Sequence, residues 1–268
     1  MSEVHELTAA EGLRAIEAGN LTAEAWTTAC LERITDRDSA VLAWEYLDHS
    51  SAIAHAREID NAVNRGLVAG VPFGVKDIID TADMPTAYGT EIHRGHLPGR
   101  DAACVAITRS AGAVLLGKTV STEFGHKTPG KTCNPFNPAH TPGGSSSGSA
   151  AAVGDKMIPF AYGTQTTGSV IRPAAFCGTI GYKPTYGDIN NSGVMGNTPT
   201  IDTLGMMVRT VEDLSLLRAV LLEQKPVALA PPEISNLAIG VYRTPFWDQA
   251  EPYMQLYMEA AVTKLAAM

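Results

Sequence analysis

The chain has 268 residues, is 45% hydrophobic and 18% charged, and carries a net charge of −8 with a pI near 5.3. That is enough apolar material for one large α/β domain with a substantial core. The acidic balance removes any electrostatic reason to expect nucleic acid or an anionic membrane as partner, and no run approaches the ~18 consecutive apolar residues of a membrane span.

Four cysteines, Cys30, Cys104, Cys133 and Cys177, fall at wide irregular spacings without a C-x-x-C pair, so neither a zinc site nor a disulfide framework is indicated. Reduced cytosol is the default for such a chain. The start, Met1-Ser-Glu-Val-His-Glu6, lacks a basic region followed by an apolar stretch, and an unexported, cytoplasmic protein is expected.

In chain order, Thr8-Ala-Ala-Glu11 reads as a capping box opening a short helix that ends at Gly19. Leu21-Thr22 opens a second helix with Trp26, Cys30, Leu31 and Ile34 on one face. Residues 41–47 read as a strand, and 51–65 as a helix closed by Gly66 with Ile53, Ala56, Ile59 and Val63 on its apolar side. Residues 71–79 form an apolar strand interrupted by Lys76-Asp77, and a buried lysine is rare enough to need a reason.

Residues 81–99 are loop-like. Their His93-x-x-His96 pair has metal spacing only on a helix, which the surrounding glycines and prolines disfavour. Asp101 caps a helix ending near Gly112, and 114–117 is a buried strand, so strands and helices alternate. Residues 118–142 hold four prolines and little periodicity, which marks a long loop as a candidate functional segment. Further strands are predicted at 158–161, 179–182, 206–208 and 237–241. Helices are expected from Thr210 and over 251–268, with a surface connection at 226–232.

Two Gly/Ser-rich turns stand out, 141–153 and 163–173. Glycine permits positive φ and close approach, so such turns can aim successive N–H groups at one point beside a serine. A flexible linker is one reading, but the apolar flanks Ala150–Val153 and 158–161 argue against it. A phosphate loop is another, since Gly163-x-x-x-x-Gly168-Ser169 has Walker A glycine spacing. No lysine stands between Gly168 and Ser169, so the phosphate ligand is missing.

Gly74-Val-Lys76-Asp77, Pro142-Gly-Gly-Ser145-Ser-Ser-Gly148, Gly168-Ser169, Pro173-Ala-Ala-Phe-Cys-Gly178 and Gly181-Tyr-Lys-Pro184 resemble, in order, the amidase signature hydrolases over residues 70–210. The resemblance implies an α/β fold, a mixed β-sheet core covered by helices on both faces, incomplete at the C-terminus. One amidase-type domain is expected, with an N-terminal helical portion at 1–66, a catalytic core at 67–210 and a partial C-terminal portion at 211–268. It also implies amide hydrolysis through a triad of Ser169 as nucleophile, Ser145 in a cis peptide with Gly144 as proton relay, and Lys76 as base. An oxyanion hole is expected at the N–H groups of Thr166, Thr167 and Gly168, with Gly144 and Ser146 in support. No cofactor or metal is expected.

Lys76 works as a base only if its pKa falls toward neutrality, which desolvation by Val71, Phe73, Val75 and Ile78 would achieve; the rival reading is a salt bridge. Asp77 is a poor partner, because successive strand residues point to opposite faces. The chain has Gln165 where the family often has Asp, Thr167 where Gly is common, and Arg172 displaced one place from the usual arginine. The Ser169-Val-Ile-Arg172-Pro173 version resembles malonamidase-type members, which act on small carboxylate-bearing amides. Arg172 then binds the carboxylate, or else forms a salt bridge under the turn. The partners expected are a small amide substrate and a second copy in a homodimer. A component of a glutamine-dependent amidotransferase complex and a non-catalytic remnant are the other readings.

Overall fold

The computed structural model describes residues 3–230, 232–233 and 237–268. The chain divides into two compact units, residues 1–227 and 228–268.

The first unit is a six-stranded mixed sheet with helices on both faces, as the resemblance implied. Its strands are β1 (Trp44–Leu47), β2 (Pro72–Lys76), β3 (Val114–Thr119), β4 (Phe160–Gln165), β5 (Ile180–Tyr182) and β6 (Thr203–Val208), in the spatial order β1-β3-β2-β4-β6-β5. The central strands β3, β2 and β4 run parallel, while β1, β6 and β5 pair antiparallel. β2, β3 and β6 are buried at every residue, which is why they read as largely apolar runs.

Helices α1 (Ala9–Glu17), α2 (Ala23–Val41), α3 (His49–Asn61), α4 (Ala103–Ser110), α5 (Ser147–Gly154), α6 (Ile171–Phe176) and α7 (Val211–Leu221) complete the unit. The capping box at Thr8 forms as predicted, and Thr22 and Thr210 cap α2 and α7. Helix α5 packs directly on β2, β3, β4 and β6, so its residues must be small. A Cβ on Gly148 would lie 2.2 Å from the Ala43 carbonyl oxygen.

Several boundaries differ from expectation. Residue 41 ends α2 rather than starting a strand, because Leu42 turns left-handed (φ 55°) and the Asp38 carboxylate takes the Ala43 N–H at 2.6 Å. Helix α3 starts at an Asp48 cap and stops at Asn61, leaving Val63 98% exposed. Its Asp60 instead accepts the N–H groups of Ala23 and Glu24 at the start of α2. Asp101 does not cap α4; its carboxylate accepts the Ala82 N–H at 2.7 Å and faces Arg109. Lys118 lies inside β3 rather than in the loop that follows it.

In the second unit, the last helix, α8 (Pro252–Ala266), forms as predicted but buries none of its residues. Arg243 pairs with Glu259 at 2.8 Å and lies over the Trp247 ring. The strand expected at 237–241 does not form: these residues pair with no strand among the described residues. The connection at 226–232 is irregular where described, and Pro231 lies outside the described residues.

Candidate active site

Lys76 is the last residue of β2, between β3 and β4, and is fully buried. Its Nζ lies 2.6 Å from Ser145 Oγ and 2.9 Å from Thr164 Oγ1. No carboxylate pairs with it among the described residues. Burial pushes the amine down to about 7, against the opposing pull of the Asp202 carboxylate. A buried lysine held by two hydroxyls is thus poised between its charged and neutral forms.

Ser145 follows a cis Gly144–Ser145 peptide, the geometry the resemblance implied. Gly143 before it adopts φ +76°, and a Cβ there would stand 3.0 Å from the Pro173 Cα, so the turn demands glycine. Ser146 pins the two Gly/Ser turns together. Its N–H donates to the Ser169 carbonyl at 3.3 Å, and its Oγ exchanges hydrogen bonds with the Thr164 backbone. Gly163 makes this approach feasible, since a Cβ would lie 2.6 Å from Ser146 Oγ. Ser147 Oγ donates to the Val120 carbonyl.

Ser169 lies in the turn between β4 and α6, 8% exposed. Among the described residues its hydroxyl has no hydrogen-bond partner, Ser145 Oγ included. The backbone N–H groups of Thr166, Thr167 and Gly168 are likewise without protein partners among the described residues. Three donors left free in one turn are what a developing oxyanion needs. Thr167 does not take positive φ, so its β-branch is not under that strain.

A buried lysine, a serine after a cis peptide and a second serine beside free N–H donors thus lie within one region of the fold. The family model described as Amidase matches residues 25–268. The chain belongs to the amidase family. It is similar to a glutamyl-tRNA(Gln) amidotransferase subunit of Chloroflexus aggregans, 36% identical over 99% of this chain and 59% of that protein. Among solved structures it is similar to the native peptide amidase of Stenotrophomonas maltophilia, with TM-score 0.81 and 29% identity over 98% of this chain and 60% of that one. It is also similar to the corresponding glutamyl-tRNA(Gln) amidotransferase subunit of Thermotoga maritima, with TM-score 0.72 and 31% identity over 82% and 48%. This amidase-family chain thus spans about half to three-fifths of the length of these relatives.

Three residues near the site escaped the sequence reading, and a fourth, Gln165, was read only as a departure from the family. Thr164 is the second hydroxyl on Lys76. Gln165 holds the nucleophile turn: its Oε1 accepts the N–H groups of Val170 and Ile171 at 2.8 and 3.0 Å, and its Nε2 donates to the Thr167 carbonyl. A neutral amide therefore braces the residues on both sides of Ser169. Asp202 accepts the Thr166 hydroxyl at 2.6 Å. Lys118 is a second buried lysine, bonded to the Ile79 carbonyl and Thr86 Oγ1 and lying 3.9 Å from Asp77. Burial pushes the Lys118 amine down and the Asp77 carboxyl up, each against the other's charge. The Gln165 departure was itself a signal in the sequence; the other three had none.

Arg172 Nε donates to the Gly144 carbonyl at 3.0 Å, and no carboxylate pairs with its guanidinium among the described residues. The residue lines a cleft of about 240 Å³ with Thr122, Lys127, Thr132, Gly143 and Gly144. His93 and His96 join Tyr88 and Phe124 in an aromatic cluster. Among the described residues no group of three or more His, Cys, Asp or Glu is arranged to hold a metal, and no helix is long and apolar enough to cross a membrane.

Proposed function

We propose that the protein hydrolyses an amide bond through an acyl-enzyme on Ser169. The observation that carries this reading is the buried Lys76 amine, 2.6 Å from Ser145 Oγ and free of any paired carboxylate among the described residues. Amides are poor electrophiles, so attack needs an activated hydroxyl, an oxyanion site and a proton for the leaving amine. Ser169 Oγ attacks the carbonyl carbon while its proton passes to Ser145 Oγ, whose own proton passes to neutral Lys76. The oxyanion takes the N–H groups of the 166–168 turn. As the tetrahedral intermediate collapses, the C–N bond breaks and the proton returns from Lys76 through Ser145 to the leaving nitrogen. Water then repeats the sequence on the ester, releasing the acid.

Arg172 serves this reading as the group that binds a substrate carboxylate, which makes a small malonamate-like amide the preferred class. Its cleft is bordered by the same Gly144 carbonyl that precedes the relay serine, and the terminal nitrogens of its guanidinium are unclaimed by the protein among the described residues. The reading is tested with a serine-directed fluorophosphonate and mass spectrometry. The wild type should be labelled on Ser169, and Ser169→Ala should lose all labelling while keeping its circular dichroism spectrum. Full labelling of Ser169→Ala would overturn the assignment.

A second reading is favoured by the 36% identity, over nearly the whole chain, to one component of a glutamyl-tRNA(Gln) amidotransferase. In that case the same three residues release ammonia from glutamine for a partner-bound acceptor. Ammonia release by the isolated chain from a small amide supports hydrolysis; release only with partner proteins supports the amidotransferase reading.

A further inference from the structure

Asp202 follows a turn and stands immediately before β6, whose Thr203 and Leu204 pair with Gln165 and Thr164 of β4. The register therefore sets it beside both the oxyanion turn and the hydroxyl that holds Lys76. Its Oδ1 accepts the Thr166 hydroxyl at 2.6 Å, and its Oδ2 accepts the N–H groups of Asn197 and Thr198 at 2.5 and 2.6 Å. The Asn191 amide donates to its backbone carbonyl at 2.9 Å. A cavity of about 30 Å³ is lined by Thr164, Thr166, Asn191, Asn197 and Asp202, so the carboxylate and the threonine that holds Lys76 border the same space.

Three hydrogen bonds on one carboxylate hold it fixed in place. Other charged side chains of this region have partners of their own. Asp77 and Lys118 face each other, Glu123 accepts from Thr90, and Arg172 donates to Gly144. The Asp202 carboxylate opposes the lowering of the Lys76 amine by burial.

We propose that Asp202 is a positioning residue that couples the two halves of the catalytic centre, fixing the Thr166 turn by a hydrogen bond and standing as a negative charge on the Thr164 side of Lys76. The catalytic part of this statement rests on the Ser169–Ser145–Lys76 reading; the electrostatic part does not. Without the carboxylate, desolvation acts on Lys76 unopposed, so its pKa falls and the pH at which a neutral base is available moves down.

The test follows the Lys76 amine directly by NMR of protein labelled with ¹³C-lysine, its resonance identified by its loss in Lys76→Met. Asp202→Asn should lower the Lys76 titration midpoint by at least about half a pH unit. The pH limb of fluorophosphonate labelling at Ser169 should move by the same amount. Asp202→Ser, which keeps an oxygen able to accept from Asn197 and Thr198, provides a second neutral variant should the first fail to fold. Asp202→Glu retains the charge and should leave the midpoint at its wild-type position while slowing labelling, because the longer side chain misplaces Thr166. A midpoint unmoved in the folded neutral variants would overturn the proposal, as would a fall in Asp202→Glu as large as in Asp202→Asn. A wild type that titrates and shifts as stated but is never labelled at Ser169 would remove the catalytic reading and leave the electrostatic role of Asp202 standing.

Discussion

Replacing Lys76 by methionine tests the central claim about the base through stability, without any substrate. The wild-type amine is charged in both the folded and unfolded chain below about pH 7, so the folded state there bears the full cost of burying the charge. Between about 7 and its ordinary 10.5 the amine is neutral when folded and charged when unfolded. The unfolded chain then binds more protons, and folded stability rises with pH by about 1.4 kcal/mol per pH unit. Over the whole interval this amounts to roughly 5 kcal/mol. Lys76→Met lacks this contribution but leaves the Ser145 and Thr164 hydroxyls without their nitrogen partner, a pH-independent cost of about 1 kcal/mol for each. Lys118 titrates alike in both proteins and cancels in the difference. Urea denaturation of the two proteins over a pH series should give curves that run parallel below about pH 6.5. They should diverge in favour of the wild type by roughly 3 kcal/mol between about pH 7.5 and 9.5. Curves that stay parallel throughout would show that the amine keeps an ordinary pKa and is no base near neutrality.

Arg172→Ala should lower labelling-competent turnover of a malonamate more than that of the corresponding neutral diamide. Arg172 is exposed, so the preference should fall by at least about tenfold rather than by the larger factor expected of a buried pair; equal losses on both substrates in a steady-state assay would assign Arg172 to holding Gly144 alone. Lys118→Met leaves the Asp77 carboxylate buried without its cation and should cost on the order of 3–5 kcal/mol in urea denaturation near neutral pH. A loss below about 1 kcal/mol would show that the N–H groups of Ala87 and Gly89 satisfy Asp77 by themselves.

What the sequence made legible was local. Thr8 with Glu11, Thr22 and Thr210 could be read as caps because donor and acceptor lie within one turn. The buried strands could be read from largely apolar runs. Ser145 and Ser169 were legible because the Gly/Ser-rich stretches that carry them need their glycines: Gly143 for its left-handed backbone and Gly163 for the approach of Ser146. Where the outcome depended on a distant side chain, sequence reasoning failed. Asp60 and Asp101 were spent on neighbouring elements instead of on the helices they seemed to cap or extend. The apolar residues 237–241 form no strand despite their composition, since a strand exists only where a partner supplies its hydrogen bonds. The hydrogen bond from Thr166 to Asp202 spans 36 residues and carries no periodic trace.

The two buried lysines show why function here depends on partners more than on burial. Lys76 ends β2, and Lys118 sits on the adjacent strand β3, opposite Val75. Desolvation lowers both amines, so depth alone would nominate either as a base. The neighbours separate them. Lys118 meets a backbone carbonyl, a threonine hydroxyl and, at 3.9 Å, a carboxylate, and the two groups that can only accept favour the protonated amine. That lysine is suited to tying the loop after β2 to the sheet, because Asp77 in turn holds the N–H groups of Ala87 and Gly89. Lys76 meets only hydroxyls, which accept from a charged amine and donate to a neutral one with little movement. A proton can therefore leave or reach Lys76 without stranding a buried charge on its partners, and Ser145, the nearer of the two hydroxyls, lies in the turn that Ser146 fastens to Ser169.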